Sequence, residues 1–394
     1  MTAPVCKGMR AAGVAAGLKK NGHLDLGLIY SATAAATAAV FTRNVVQAAP
    51  VALTRERVQS GRCRAVLVNS GNANCCTGEA GLRDARETCA AVAGALAVPE
   101  DQVLAASTGV IGQPLPLDRV LQAVPTLVEA LSPDGFPQLA AAIMTTDTEP
   151  KLVCREGRIG ERPFTIVGVA KGAGMIRPDM ATMLCFLCTD AAVGAGRLDA
   201  MLRRSVDRSF NRITIDGDTS TNDTVILMAN GEGGGAVRSA DDEAVFQSLL
   251  DAVCLELAKW LVRDGEGVTK LVELSIQGAP CDSDARRVAD TVANSPLVKT
   301  ALFGEDANWG RILGAAGRAG VVFDPNRIDL YFDGVQMVAG GTGCGSAAER
   351  AATAVLKQPE LQITLDLNAG GGAASVLTCD FSLEYVRINA DYRS

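Results

Sequence analysis

Short apolar runs, each the length of a single β-strand, alternate along this chain with stretches of helical period, which confines it to mixed α/β architectures. The runs lie at residues 65–68, 103–106, 164–169, 183–188, 225–228 and 271–276. Between them, Leu82, Ala85, Cys89, Val92 and Leu96 recur three or four apart and make one apolar helical face. Phe246, Leu249, Val253, Leu257 and Trp260 do the same, and Asp264-Gly265 then reads as a helix stop. From about Ala279 the pattern predicts a separate small α/β unit, with a helix after Asp284, a strand at 328–332, a helix after Ser346 and closing strands near Ile363 and Phe381. Only 4% of the residues are aromatic while 41 of 394 are glycine, so the layers must approach through small side chains. A chain of this length buries a substantial core and divides into two or three domains.

Several function classes drop out on composition. The net charge of -7 and the lack of basic clusters interleaved with aromatics argue against a nucleic-acid partner. No apolar run reaches the roughly 18 residues a membrane span needs. Residues 13–18 are too short and too rich in Ala and Gly for an export signal, so the cytoplasm is the expected location. Twelve cysteines in such a chain are expected as reduced, mostly buried thiols. Cys185 and Cys188 have metal or redox spacing, yet no matching pair follows and they fall in a predicted strand; Cys75-Cys76 is the other notable pair. No metal and no resident cofactor is expected. Glycines at 231–235 and 340–345 read as turns; the second group lacks the Lys-Ser/Thr pair of a P-loop and the third glycine of a dinucleotide fingerprint.

His23 is the single histidine, and it lies in a polar Asn-Gly-His-Leu stretch that reads as a surface turn. Ser-His-Asp devices, Cys-His devices and multi-histidine zinc sites all need imidazoles that this chain does not supply. Nucleophilic catalysis without histidine can use an N-terminal Thr, Ser or Cys whose own α-amine is the base, and such an amine is made by cleaving the chain. The segment K-G-A-G-M-I-R-P-D-M-A-T-M-L-C-F-L-C at 171–188 suits that chemistry. Gly172, Gly174 and Pro178 break regular structure, Ala181 offers an uncrowded carbonyl, and Thr182 opens an apolar strand. On chemistry alone, a Gly/Pro loop leading into a core strand explains the same residues.

The run K-G-x-G-M-I-x-P-x-M-A-T-M-L resembles the self-cleavage site of the ornithine acetyltransferase family of arginine biosynthesis. Other segments resemble that family in the same order: V-N-S-G-N-A-N at 68–74, S-T-G-V-I-G at 107–112, M-T-T-D-T at 144–148, D-G-D-T-S-T-N-D at 216–223, D-G-E-G at 264–267, G-E-D-A-N-W-G-R at 304–311, and the closing N-A-D-Y-R-S. The resemblance covers essentially the whole chain. It implies an α/β fold, a layered α-β-β-α sandwich of the ornithine acetyltransferase and DmpA-like type with a smaller C-terminal α/β domain. It implies a cut between Ala181 and Thr182 into an α chain, 1–181, and a β chain whose parts are 182–278 and 279–394. The two chains are expected to stay together and pair into an α2β2 heterotetramer.

The implied activity is transfer of acetyl from N2-acetylornithine to glutamate through an acetyl-threonine intermediate, with acetyl-CoA as a further donor in some members. By resemblance Thr182 is the nucleophile, Thr108 and Gly109 form the oxyanion hole, and Thr145, Lys171, Thr182, Glu266, Asn389 and Ser394 bind substrate. The chemistry is sensible: a glycine after a strand lets backbone approach a ligand, a lysine suits a carboxylate, and Glu266 suits the cationic tail of ornithine. The family usually ends in Thr, so Ser394 departs from it while keeping a hydroxyl. The alternatives are a related self-processing aminopeptidase or amidase, and an uncleaved α/β binding protein.

Overall fold

The computed structural model describes residues 5–20, 22–177 and 183–391. Strand β1, Met9–Val14, pairs antiparallel with the long strand β2, Leu26–Phe41. Then follow α1 Ala49–Arg57, β3 Arg62–Asn69, α2 Gly78–Leu96, β4 Val103–Ser107, α3 Leu117–Glu129 and α4 Phe136–Ile143. Next come β5 Lys151–Ile159, β6 Arg162–Lys171, β7 Leu184–Thr189, α5 Ala195–Arg208, β8 Thr224–Ala229 and α6 Ala240–Arg263. The strands form one sheet in the order β4-β3-β2-β8-β7-β6-β5, with β1 also on β2.

Strand β2 folds this sheet onto itself. Its first part, through Tyr30, pairs with β3; the register then shifts before Ala35, and Ala36 to Phe41 pair with β8. One limb therefore lies over the other. Ile29, Val66, Val68 and Leu104 share an inner core with Val167, Val169, Phe186, Ile226 and Met228, and Phe136, Leu139 and Ile143 of α4 close its end. Because side chains alternate along a strand, their neighbours point outward. Leu28, Ala65, Leu67 and Ala105 pack on one side with Val92 and Val124 of α2 and α3. Ile166, Cys185, Leu187, Val225 and Leu227 pack on the other with Met201 of α5 and Phe246, Val253 and Leu257 of α6. The succession helix, sheet, sheet, helix is the expected α-β-β-α sandwich. Cys185 and Cys188 fall in different cores on opposite faces of β7, so their spacing cannot chelate a metal. Helix α6 starts at a capping box of Ser239 and Asp242 and ends at Asp264, where the sequence places its stop.

A second sheet follows. Its elements are β9 Leu271–Ala279, α7 Asp282–Ala293, α8 Pro296–Phe303, α9 Trp309–Gly317, β10 Asp329–Phe332, β11 Val335–Ala339, β12 Thr342–Gly343, α10 Ser346–Val355, β13 Glu360–Asp366, β14 Gly372–Cys379 and α11 Leu383–Asp391. The strand order is β12-β11-β10-β13-β9-β14. Val272, Leu274, Ile276, Leu330, Ile363 and Val376 line one face and meet Val288, Val292 and Ile312 of the helices. The glycines at 340, 341 and 345 take positive φ, as turn geometry requires.

The closing strand expected near Phe381 is β14, and it stops at Cys379. The Asp380 carboxylate accepts from the amides of Thr269 and Lys270, which ends the ladder and turns the chain. The Phe381 ring then lies 4.7 Å from Lys299 Nζ and stacks on Tyr385, and Ser382 Oγ accepts the Tyr385 amide as α11 begins. An aromatic residue beside an apolar run mimics a strand position, and only the contacts of Asp380 distinguish the two.

Candidate active site

The site lies where the sandwich strands end. After β3 and β4 the chain forms two touching loops, 70–74 and 108–112, tied by the Thr108 amide donating to Asn69 O at 3.0 Å. Gly109 sits at φ 129, and a Cβ there would come within 2.4 Å of Gly71 C, so both conformation and space require glycine. Asn222, from the loop before β8, donates its side-chain amide to Ala73 O at 2.7 Å and to Ser107 O at 2.8 Å, clamping both loops.

Beneath them lies a buried charge cluster. Lys171 closes β6 with 4% exposure, and its Nζ donates to Thr108 Oγ1 at 3.2 Å. Lys151 opens β5, the neighbouring strand, and donates to Asp147 Oδ1 at 2.7 Å and to Asp264 Oδ2 at 2.5 Å. Asp147 is the hub: its Oδ1 also accepts the Gly172 amide at 2.7 Å and its Oδ2 the Thr145 amide at 3.0 Å. Burial alone would raise the Asp147 carboxyl, but the charges of Lys171 and Lys151 outweigh it and hold the group down to about 2. Burial pushes the Lys171 ammonium below the usual lysine range, with Asp147 pulling the other way. The arrangement sets the direction of one hydroxyl. The Thr108 amide is spent on Asn69, and Thr108 Oγ1 accepts from an ammonium that has no lone pair, so the hydroxyl hydrogen is left to donate elsewhere.

Glu266, 8% exposed, enters from the turn after α6 and accepts from Asn389 Nδ2 of α11 at 2.8 Å. It lies against Gly174, where a Cβ would fall 2.5 Å from Glu266 Oε2. Asp216 Oδ2 and Oδ1 accept the amides of Met175 and Ile176 at 2.5 and 2.9 Å and so anchor the chain approaching residue 178. Thr108, Gly109, Thr145, Lys171, Glu266 and Asn389, all singled out in the sequence, line one pocket together with Thr146, Thr221 and Asn222. Ala181, Thr182 and Ser394 lie outside the described residues. The Met183 amide donates to Asp223 Oδ1 at 3.1 Å. A larger cleft of about 680 Å³ between β2 and α5 contains none of these residues. Its Arg55 is spent on Gln47, Thr42 and the face of Phe41.

Sequence reasoning singled out none of Asp147, Lys151, Asn222, Asp223 or Asp264 as site residues. Asp147, Asn222, Asp223 and Asp264 stand inside the recognised motifs at 144–148, 216–223 and 264–267, where an acidic or amide side chain was the available signal. Lys151 carries no such signal, because a lysine at the start of a strand ordinarily faces water.

A family model described as the ArgJ family matches residues 10–394. The arginine biosynthesis bifunctional protein ArgJ of Geobacter sulfurreducens is 55% identical over 390 residues, covering 98% of this chain and 99% of its own. The protein of the same name from Syntrophotalea carbinolica is 51% identical over 381 residues, 96% of this chain and 97% of its own. The crystal structure of arginine biosynthesis bifunctional protein argJ from Bacillus halodurans superposes with a TM-score of 0.50 at 41% identity, covering 98% of that chain and 52% of this one.

Proposed function

This chain belongs to the ArgJ family, and from that premise we propose that it cuts itself between Ala181 and Thr182 and uses the freed Thr182 as the nucleophile of an acetyltransferase. The enzyme is an ornithine acetyltransferase of arginine biosynthesis, moving acetyl from N2-acetylornithine to glutamate. The Thr182 hydroxyl attacks the acetyl carbonyl while its proton passes to the new α-amine or to a water beside it. Ornithine leaves, and the α-amine of glutamate takes the acetyl group from the threonine ester, which makes the kinetics ping-pong.

The observation that carries this reading is the convergence of Thr108, Gly109, Thr145, Lys171, Glu266 and Asn389 on one pocket, drawn from segments far apart in the chain. Each tetrahedral intermediate carries an oxyanion, and Thr108, with its hydroxyl hydrogen left to donate, and the Gly109 amide are assigned to it. Lys171 and Thr145 take the substrate's carboxylate and acyl amide, and Glu266, steadied by Asn389, takes the cationic tail of ornithine. Ser394 is assigned to the same substrate.

The α chain 1–181 and the β chain, with parts 182–278 and 279–394, stay associated and pair as α2β2 in the cytoplasm. Among the described residues no helix is long and apolar enough to cross a membrane. No resident cofactor is assigned, and acetyl-CoA serves as a second donor.

Denaturing electrophoresis with N-terminal sequencing tests the reading: the smaller fragment begins Thr-Met-Leu-Cys, and the Thr182→Ala chain stays whole and inactive. Acetyl transfer to glutamate, rather than release of free acetate, separates the transferase from a hydrolase. Acetylglutamate formed with acetyl-CoA as sole donor settles the second activity. A single uncut, active polypeptide overturns the mechanism.

A further inference from the structure

Self-cleavage poses a proton problem that the mature enzyme does not have. After the cut, the α-amine of Thr182 can take the proton of its own hydroxyl. Before the cut that nitrogen is a planar amide without a basic lone pair. The hydroxyl must lose a proton and the nitrogen must gain one, so another group has to carry it between them. Lys171 and the groups around it are already committed: Lys171 donates to Thr108, and Asp147 holds Lys151, Gly172 and Thr145.

Asp223 is placed differently. It immediately precedes β8, which runs parallel to β7 with Thr224 level with Leu184, so Asp223 and Met183 lie side by side where the two strands begin. The Met183 amide donates to Asp223 Oδ1 at 3.1 Å. The nitrogen to be released, that of Thr182, is joined to the Met183 nitrogen through only two backbone carbons, which keeps them within about 4 Å by bond lengths alone. Asp223 is fully buried, and its Oδ2 has no hydrogen-bond partner among the described residues. Burial pushes this carboxyl well above the usual carboxylate range, against the smaller opposing pulls of the Met183 amide, Ser220, Lys171 and Thr42. A buried carboxyl that leaves one oxygen unused calls for a reason beyond holding two strands together.

We propose that Asp223, gripping the Met183 amide through Oδ1 and leaving Oδ2 unpaired, is the proton shuttle of self-cleavage. The role rests on the Ala181–Thr182 cut proposed above. Thr182 Oγ adds to the Ala181 carbonyl carbon, and the carbon–nitrogen bond of that peptide breaks. Asp223 gives its proton to the departing nitrogen and regains one from the Thr182 hydroxyl. The products are an ester and a free amine, with Asp223 unchanged. Water then opens the ester: its hydroxyl completes the Ala181 carboxyl group and its remaining hydrogen returns to Thr182 Oγ. From that point the α-amine supplies the base.

Asparagine separates this role from a structural one. In the Asp223→Asn chain an amide oxygen still accepts from Met183, but the side chain cannot carry a proton. A shuttle predicts that the full-length Asp223→Asn chain, followed by mass spectrometry, cleaves at least about 100-fold more slowly than wild type, within the range for general acid–base catalysis. It also predicts that hydroxylamine, which splits an accumulated ester, releases no α chain from it. Cleavage within about three-fold of wild type, or release by hydroxylamine, overturns the proposal. Thermal melting reports whether the variant folds, and Asp223→Ala with added formate provides a second arm. Faster cleavage with formate supports the shuttle, and a folded Ala chain that cuts at the wild-type rate without formate overturns it. A wild-type chain that stays intact instead overturns the cut site itself, so the two failures are distinguishable.

Discussion

The site end of the sandwich and the core of the second sheet bury opposite kinds of residue. At the first, Lys151, Lys171, Asp147 and Asp223 are withdrawn from water beside Thr108 and Asn222. At the second, Val272, Leu274, Ile276, Leu330, Ile363 and Val376 meet helices through aliphatic side chains. Burying a lysine or an aspartate costs several kcal/mol in desolvation that even a good partner only partly offsets, so stability alone does not select for it. Charges held out of water instead perturb proton affinities and align donors, which is what acyl transfer requires. The aliphatic core of the second sheet follows the ordinary rule of apolar burial, and the buried ammonium of Lys299 lies at its margin, donating to Thr378 Oγ1 and the Cys379 carbonyl at the end of β14.

The largest effect should come from taking the hub out of the charged region. Asp147→Ala leaves Lys151 and Lys171 without their shared carboxylate, and breaking a buried pair in this way costs about 3–5 kcal/mol. Denaturant melts should show that loss together with collapse of acetyl transfer; a variant as stable as wild type would erase the contrast. Thr108→Val should lower kcat by roughly 10² to 10³, about 3–4 kcal/mol of barrier, and, because it takes from the buried Lys171 ammonium the hydroxyl it donates to, should also cost about 1–3 kcal/mol of stability. Steady-state kinetics and melting on the same sample check both halves.

A pH series sharpens the comparison at an intermediate size. Asp147 is held down to about 2 in the folded chain, below an unfolded value near 3.8. The unfolded chain therefore binds the proton first, and the stabilisation is complete above the unfolded value and lost as pH falls toward about 2. It amounts to about 2 kcal/mol. Melts between pH 5 and 2 should lose that much in wild type and less in Asp147→Ala. The smallest effect is expected in the second sheet, where Ile363→Val removes one buried methylene and costs about 1 kcal/mol. Its acetyl transfer should equal wild type, and a kcat change there would show that the two regions are coupled.

Much of the framework was legible because strand and helix leave periodic marks. The run at 225–228 became β8 and that at 103–106 became β4, while the apolar face from Phe246 to Trp260 became α6. Thr108, Lys171 and Glu266 were legible through the motifs around them, and the structure brings them into one pocket. Phe381 misled because an aromatic next to an apolar run looks like a strand position until Asp380 is seen to turn the chain. The bend of β2 was invisible, since its register shift depends on which strands lie on either side.

What the order of residues determined unaided was local: which stretches are strands and helices, and that one histidine rules out the common nucleophile devices. What the tertiary structure alone decided was every relation across space. Asp147 and Asp264 are brought to one lysine, Lys171 turns the Thr108 hydroxyl, and Asp223 meets Met183 at the start of two parallel strands. Periodicity records how a residue sits relative to its neighbours in the chain, whereas hydrogen bonds and charge interactions depend on distances that exist only once the layers have packed.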